Sequence, residues 1–425
     1  MTGDNVSRKV YSYRKADFDG LRRTLSCIPW DACFLANDVN SSVESFQDLL
    51  FAAVNQHVPQ TKLRRHSRPP WIDNDVMKLV RKKKSLWKRL KNNSDINLFS
   101  RFKLLRKQTK RLISSKYSLY LKSLSEDLKN NPKKFWSFHS LKSKTRRIPP
   151  VVAYKLKSAN DPAEKASLFN DFFSSVFTST SVDHVALRND VTHPDLLMNV
   201  STSALEVEKI LAKFDVNKAS GADNIPARIL KECSRELSHP LSTLFNMSFR
   251  LGVVPQEWKR ANITPVFKSD NKNSVENYRS VSLLSVPSKC QEKIIYNAIF
   301  SHVAPYLNDW QHGFVKGRSC VTQLVLTHHH WSKALDAGHQ VDAVFLDFSK
   351  AFDKVSHVIL LQKLCNFGVS GCLLNWCRDY LSNREQRVVI DGMSSEWRSI
   401  PSGVPQGPLV GRLMLFLLQV LWLWM

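Results

Sequence analysis

One run of apolar residues in the sequence ends in a single carboxylate. Residues 343–346 are small or apolar, Asp347 follows them, and the aromatic Phe352 and a second carboxylate, Asp353, come soon after. This pattern predicts a buried strand that carries Asp347 at its end. Because a buried carboxylate is costly unless a cation or hydrogen bonds compensate it, Asp347 is a candidate metal ligand. An aspartate that caps the next helix is the alternative.

Three other segments accompany the Asp347 segment. They are Asn277–Leu284, Gln311–Ser319 and Ser402–Gly407, the last of which is a turn with one amide side chain. In this order and at these spacings, the four segments resemble the reverse transcriptases of non-LTR (LINE-type) retrotransposons, over about residues 200–412. The resemblance implies an α+β fold with the fingers and a partial palm of a right-hand polymerase, preceded by a basic, mostly helical N-terminal region.

The resemblance also implies roles for particular residues. RNA-directed DNA synthesis is a phosphoryl transfer that uses two Mg²⁺ ions, and Mg²⁺ prefers hard oxygen ligands. Asp347 matches the first metal-binding carboxylate of the family, and the backbone carbonyl of Phe348 is a further ligand. Phe352 matches the aromatic residue beneath the sugar, which clashes with a ribose 2′-hydroxyl and selects deoxynucleotides. An ordinary core phenylalanine is the alternative.

Basic groups are needed to bind the triphosphate of the incoming nucleotide. Lys268 and Arg279 match the residues that do this in the family, although surface charge is the alternative for both. A planar guanidinium suits bidentate contact with phosphate, which favours Arg279. Gln406 matches the residue that lies against the nucleotide's sugar. The resemblance assigns the template path to Gly313, Gly317, Arg318, Gly403 and Gly407.

One element of the family pattern is not found in these 425 residues. The family carries Tyr/Phe-Ala-Asp-Asp after the glutamine turn, whereas no two aspartates are adjacent in this sequence and the last acid is Glu396. We therefore expect an incomplete palm, a truncation or a reading-frame shift near residues 408–420, and an exposed apolar segment at Leu413–Met425. Because one carboxylate cannot hold two divalent ions, we expect these residues by themselves not to polymerise DNA at a useful rate.

The composition favours a polyanionic partner. The sequence holds 62 Lys and Arg against 37 Asp and Glu, a formal net charge of +25. Nucleic acid fits this balance first and an anionic membrane second, and a solvated basic surface is the alternative. The eight cysteines lie apart, without Cys-x-x-Cys, which is typical of an intracellular protein of the cytoplasm or nucleus. No stretch is long and apolar enough to span a bilayer. The expected partners are an RNA template, a DNA primer and deoxynucleoside triphosphates.

The segment Trp71–Asn131 is the most basic part of the sequence. It has no Gly or Pro and holds 17 Lys and Arg against 5 acids, which predicts long basic helices. The polar cluster at residues 92–95 predicts a break into a helical hairpin with Ser94 or Asp95 as N-cap. Binding to a nucleic-acid backbone is favoured over a solvated face, and Arg81–Lys84 can also be read as a nuclear-import signal. A non-catalytic nucleic-acid-binding remnant is therefore the alternative function.

The chain divides into five predicted regions. Shifts in composition separate an unassigned N-terminal segment (1–65), a basic helical connector (66–150), a helical lead-in to the polymerase (151–255), fingers (256–340) and an incomplete palm (341–425). Within the lead-in, residues 161–177 are a predicted amphipathic helix, and another helix is predicted from Ala227. The sequence does not specify an oligomeric state.

Overall fold

The computed structural model describes residues 9–62, 68–92, 95–128, 131–143, 148–178 and 195–420. The helices are α1 (Phe18–Cys27), α2 (Val39–His57), α3 (Asn74–Asn92), α4 (Ile96–Glu126), α5 (Pro132–Ser143), α6 (Pro162–Ser175), α7 (Ala204–Ala212), α8 (Ala227–Glu232), α9 (Ser234–Leu251), α10 (Val286–Val303), α11 (Cys320–Asp336), α12 (His357–Asn366), α13 (Gly371–Leu381) and α14 (Leu409–Val420). The strands are β1 (Lys9–Tyr11), β2 (Gln60–Lys62), β3 (Val152–Tyr154), β4 (Lys157–Ala159), β5 (Arg260–Phe267), β6 (Tyr278–Leu283), β7 (Arg384–Ile390), β8 (Met393–Ser394) and β9 (Arg398–Ile400). This mixture of helix and sheet agrees with the predicted α+β class.

The described residues fall into two compact units. The basic unit lies between Lys62 and Pro150, and the second unit combines Val10–Thr61 with the chain from Val151 onwards. None of the described helices has the length and apolar character needed to cross a membrane.

The basic unit is built around the predicted helical hairpin. The Asp95 side chain accepts a hydrogen bond from the Asn97 amide at 2.8 Å and caps α4, as predicted. Helices α3 and α4 run antiparallel: the Lys116 ammonium lies 2.7 Å from the Asp73 carboxylate, and Trp71 packs on Tyr117 with ring centroids 5.0 Å apart. A half-buried apolar stripe on α4, with Phe102 as one member, faces α3.

A mixed five-stranded sheet organises the second unit. Its order is β6-β5-β7-β8, with β9 also paired to β7. Strands β5 and β6 are antiparallel, and β5 and β7 are parallel. Helix α6 packs on β7 and begins at the Asp161 cap, inside the helix predicted for 161–177. Its Phe169 ring packs edge-on against Tyr278 of β6, with centroids 4.9 Å apart. The sheet therefore has one face covered by aromatic side chains.

The helices of the second unit other than α6 and α11 share one hydrophobic core. Helices α1 and α2 of the N-terminal segment contribute Leu25 and Phe46, and α9 contributes Leu244 and Phe245. The segment predicted to be exposed at Leu413–Met425 is buried where the structure describes it, since Leu413, Met414, Leu415, Phe416 and Leu417 are at most 4% exposed. That part of the prediction is wrong, because α14 packs on α10 and α12 and removes these side chains from water.

The Asp347 segment also differs from its prediction. We predicted a buried strand, but residues 341–348 form no strand, and Val344, Phe345 and Leu346 are 84%, 85% and 90% exposed. In the part of the chain that the structure describes, no strand pairs with this segment. An extended segment needs a neighbouring strand to satisfy its backbone hydrogen bonds and to cover its side chains. Without that neighbour, apolar residues alone do not produce burial.

Candidate active site

The pairing of β5 with β6 places two cations on one face of the sheet. Val266 pairs with Arg279 in the antiparallel register, and Lys268 lies two residues beyond Val266. Because side chains alternate along a strand, Lys268 and Arg279 project to the same face. The Lys268 amide donates to the Asn277 carbonyl at 2.9 Å, which continues the pairing past the end of β5. Both side chains are exposed to solvent and free to meet a soluble anion.

The Ser402–Gly407 turn connects β6 to the residues after Asp347. The Ser282 amide donates to the Gln406 carbonyl at 3.0 Å, and the Val404 amide donates to the Phe352 carbonyl at 2.7 Å. Gly403 has a φ of +82°, and a Cβ there would lie 2.5 Å from the Phe352 carbonyl oxygen. Only glycine combines this backbone conformation with so close an approach. The turn therefore fixes Phe352 and Gln406 relative to each other.

These elements enclose one cavity of about 550 Å³. Six of the residues assigned by resemblance line it: Lys268, Arg279, Asp347, Phe348, Phe352 and Gln406. They come from positions up to 138 residues apart, between Lys268 and Gln406. The structure thus brings together the complete predicted set of nucleotide and metal contacts, although their individual roles stay predictions.

Two further groups stabilise the wall of the cavity around Phe352. Burial holds the pKa of His357 below its usual range, and its Nε2–H donates to the Gly403 carbonyl at 2.7 Å. The Ser402 hydroxyl donates to the Asp353 carbonyl at 2.8 Å. Sequence reasoning missed His357, which lies outside the four motifs, and it gave no role to Ser402, the first residue of the Ser402–Gly407 motif.

Asp353 and Lys350, which lie close together in the sequence, are held by different interactions. Burial raises the pKa of Asp353, although the nearby Lys350 charge partly offsets this. The Lys350 ammonium lies 4.8 Å from the centre of the Phe172 ring, which is a cation–π distance. Lys350 also adopts a left-handed φ of +55° in the turn that follows Asp347. Lys350 therefore ties this turn to helix α6, and Asp353 lines the cavity beside Asp347.

The five residues assigned to the template path lie in two places. Arg318 donates to the carbonyls of Asn308, Asp309 and Gln311 at 2.7–2.9 Å, so its guanidinium holds the loop before α11 together. Gly313 and Gly317 lie in the same loop. Gly403 packs against the backbone of Phe352, while Gly407 faces a second cavity. Contact between these five residues and a template stays a prediction.

The second cavity has a volume of about 590 Å³ and lies on the other side of the turn. Ser282 and Gly407 line it, whereas Ser280 and Gln406 line the first cavity. Its other polar lining is strongly cationic, with Lys209, Lys213, Lys218, Lys289, Lys293 and Arg412 against Glu206 and Glu292. Sequence reasoning missed this cluster, because its cations are spread over two hundred residues and belong to no single charged run.

Two carboxyls of the second unit are buried, and one of them, Glu292, belongs to the lining of the second cavity. Burial raises the pKa of Asp223 to about 6, and its Oδ1 accepts a hydrogen bond from the Ile225 amide at 3.4 Å. Burial likewise raises the pKa of Glu292 to about 7, and Glu292 accepts a hydrogen bond from the Tyr380 hydroxyl at 3.2 Å. Within the described residues, no three His, Cys, Asp or Glu side chains cluster as a metal site.

Sequence comparison agrees with this arrangement. Residues 268–419 match the family described as reverse transcriptase (RNA-dependent DNA polymerase). All six cavity residues named above fall within the match. The chain therefore carries a reverse transcriptase region, as its motifs predicted.

Two proteins named as RNA-directed DNA polymerases of mobile elements resemble the chain over most of its length. The chain is 29% identical to the probable RNA-directed DNA polymerase from transposon BS of Drosophila melanogaster, over 65% of this chain and 31% of that protein. It is 25% identical to the RNA-directed DNA polymerase from mobile element jockey of the same fly, over 88% of this chain and 42% of that protein. These similarities support the predicted resemblance of the region to reverse transcriptases of the non-LTR, LINE type.

These matches cover only part of each relative. The chain spans between about a third and less than half of the length of these two relatives. The family match continues through residue 419, so the segment from Pro408 to Gln419 belongs to the matched pattern. The predicted reading-frame shift near residues 408–420 and the predicted truncation both stay predictions.

Proposed function

We propose that the first cavity is the nucleotide site of an RNA-directed DNA polymerase of a non-LTR retrotransposon. The observation that carries this proposal is the single cavity shared by Lys268, Arg279, Asp347, Phe352 and Gln406. Arg279 and Lys268 bind the triphosphate, because both present exposed positive charge on one face of the sheet. Phe352 and Gln406 contact the sugar, because both line this cavity and the Ser402–Gly407 turn is hydrogen-bonded to the Phe352 backbone.

The donor atoms fit a magnesium–triphosphate complex. The Asp347 carboxylate and the Phe348 carbonyl are hard oxygen ligands, and Mg²⁺ is commonly bound by one or two carboxylates together with substrate phosphates. Bound Mg²⁺ supplies charge neutralisation at the transferring phosphoryl group. Asp347 holds and orients the complex from one side, and Lys268 and Arg279 neutralise the phosphate oxygens from the other.

The cationic second cavity is the proposed path of the template strand. It adjoins the nucleotide site across the turn, with Gly407 on its wall, and its six cations offset the charge of a phosphate backbone. A template base that reaches past Gly407 meets the nucleotide held by Gln406. The primer and the RNA template are the nucleic-acid partners in this proposal.

Nucleotide binding tests the proposal directly. Calorimetric titration of the 425-residue chain with dTTP and Mg²⁺ should give saturable binding. UTP should bind more weakly than dUTP, from which it differs only by the 2′-hydroxyl, because Phe352 excludes that group. In the Phe352→Val variant the ratio of the dUTP and UTP affinities should fall by about threefold to tenfold. An unchanged ratio would remove Phe352 from sugar selection. The Phe267→Val variant, on β5 outside the cavity lining, is the control.

Nucleotide binding by these 425 residues does not by itself imply that they extend a primer. Asp347 is the one carboxylate that the family pattern assigns here, and no two aspartates are adjacent in the sequence. We propose that these residues by themselves bind nucleotide but do not extend a primer at a useful rate. Mg²⁺-dependent extension that Asp347→Ala abolishes would overturn this part.

The alternative function is nucleic-acid binding without catalysis. It is favoured by the basic unit, where 16 Lys and Arg lie between Asp75 and Glu126 with Asp95 as the one acid. A chain that retains RNA in a salt-sensitive way but binds no dTTP would support this alternative over the first proposal.

A further inference from the structure

One aromatic side chain on the basic hairpin is exposed among cations. Trp87 of α3 is 48% exposed and packs against Phe102 of α4, with ring centroids 5.2 Å apart and the ring planes inclined by 33°. A shallow cavity of about 480 Å³ lies over the two rings. We call this surface the Trp87 platform; it is lined by Val80, Lys83, Lys84, Trp87, Phe102 and Arg106.

The platform exposes more apolar surface than folding of the hairpin requires. Phe102 is half-buried and is one of the contacts between α3 and α4, whereas about half of the Trp87 side chain faces solvent. Trp87 is the one large apolar side chain that α3 exposes. An isolated ring of this kind differs from the continuous apolar face of a helix that lies in a membrane surface.

The charge around the ring selects the partner. Lys83, Lys84 and Arg106 line the platform, and none of them forms an ion pair with an acid in the described part of the chain. A second copy of the hairpin would bring like charges together. A polyanion with flat apolar groups complements both features at once, since its phosphates meet the cations and its bases stack on the indole.

We propose that the Trp87 platform binds an unpaired base of single-stranded RNA, with the flanking phosphates on Lys83, Lys84 and Arg106. The choice of RNA rests on the proposed function, in which the neighbouring region copies an RNA template. A base inside a duplex cannot lie flat on the indole, because its faces are covered by its neighbours. The platform therefore discriminates single strands from duplexes.

Fluorescence anisotropy with a labelled unstructured oligo-U RNA tests the proposal on the 425-residue chain. Trp87→Ala should weaken binding by about tenfold or more, and Trp87→Phe should restore most of it. Binding of an RNA duplex of equal length should change less than twofold. Leu104→Ala, at an exposed apolar residue of α4 outside the platform, is the matched control and should have no effect. Circular dichroism verifies that each variant keeps its helices.

The charged part of the platform has its own readout. Lys84→Gln together with Arg106→Gln should make the dependence of log affinity on log salt shallower by about 1.4, since each lost phosphate contact removes about 0.7 for a single strand. Trp87→Ala should leave this slope unchanged, because it removes no charge. The pair Lys157→Gln and Lys333→Gln, in the other unit, matches the charge change and serves as the control.

An abasic RNA of the same length provides a test without any variant. The wild-type chain should bind it with the loss that Trp87→Ala shows for oligo-U. Three outcomes would each overturn the proposal. Trp87→Ala could weaken the affinity for single strands and for duplexes equally, or the chain could bind single-stranded DNA more tightly than RNA. The third is an effect of Trp87→Ala that is confined to binding of anionic vesicles. Loss of dTTP binding is not expected in any platform variant, so failure here is separate from failure of the nucleotide site.

Discussion

The two walls of the nucleotide cavity are held by different means. The strand wall, formed by β5, β6 and the Ser402–Gly407 turn, is held by the antiparallel pairing of β5 with β6 and by the hydrogen bond from the Ser282 amide to the Gln406 carbonyl. The carboxylate wall, residues 343–349, has no paired strand in the described chain and exposes Val344, Phe345 and Leu346. Both walls carry residues that the family pattern assigns to the reaction.

This difference shows that pairing of the backbone with a neighbouring strand fixes the position of a functional side chain. Arg279 is fixed in register by six residue pairs between β5 and β6, whereas Asp347 is joined to ordered structure chiefly through the turn that follows it. A cation on a paired strand is preorganised for its ligand, and preorganisation reduces the entropic cost of binding. We therefore expect the strand wall to contribute more nucleotide affinity than the carboxylate wall.

The largest expected effect concerns the turn that joins the walls. Gly403→Ala should lower the free energy of unfolding by about 3 kcal/mol or more, because the new methyl group meets the Phe352 carbonyl and the φ of +82° disfavours alanine. Gly392→Ala is the matched control, with a φ of +90° and no described atom within 4 Å of its Cβ. It should cost only about 1 kcal/mol. Equal costs in thermal or urea unfolding would show that the close approach is unimportant.

Arg279 is the next test of the strand wall. Arg279→Ala should weaken binding of dTTP with Mg²⁺ by about 10- to 50-fold, because charge-assisted hydrogen bonds to phosphate are lost. Arg279→Lys should recover part of the affinity, since it keeps the charge but not the planar fork. Arg250→Ala, whose guanidinium bonds the Asn37 side chain away from the cavity, is the control for charge. Calorimetry measures all three.

A smaller effect is expected on the carboxylate wall. Asp347→Asn should weaken dTTP binding in the presence of Mg²⁺ by about threefold to tenfold and reduce its dependence on Mg²⁺ concentration. Binding of dTTP without divalent ions should change little, because the carboxylate acts through the metal. If Asp347→Asn costs more affinity than Arg279→Ala, the comparison between the two walls is wrong.

The last prediction concerns stability and a buried carboxyl, Glu292, at the second cavity. The pKa of Glu292 is raised by burial from 4.5 to about 7, so the folded state holds a proton that the unfolded state releases. Its stabilising contribution is complete below about pH 4.5 and is lost as the pH rises towards 7. Glu292→Gln should therefore flatten the decline of stability over this range, by on the order of 1–3 kcal/mol. Unfolding by urea at several pH values measures this.

The control for Glu292 is an exposed glutamate. Glu44→Gln, on the solvent face of α2, should leave the slope between pH 5 and 7 as it is in the unmodified chain. A Glu292→Gln variant whose slope matches that of Glu44→Gln would indicate that Glu292 is ionised in the folded protein at neutral pH.

Much of this protein could be predicted from local sequence. The absence of Gly and Pro predicted the basic helices, and Asp95 predicted where α4 begins, because capping and helix propensity act over a few neighbouring residues. The order of four short motifs identified the reverse transcriptase region and the six residues of its cavity. These residues were assigned through the resemblance of the motifs to the family, without any knowledge of their contacts.

Other features depended on contacts between distant residues. The Asp347 segment reads as a buried strand, yet burial requires a partner strand, and the sequence of the segment does not supply one. The segment at Leu413–Leu417 reads as an exposed tail, yet α10 and α12 cover it. The cationic second cavity gathers side chains from several helices. Local sequence therefore determined the helices, the caps and the identity of the chemical groups, whereas the tertiary structure decided which apolar segments are buried and which charges meet, because packing and charge proximity are properties of the folded chain.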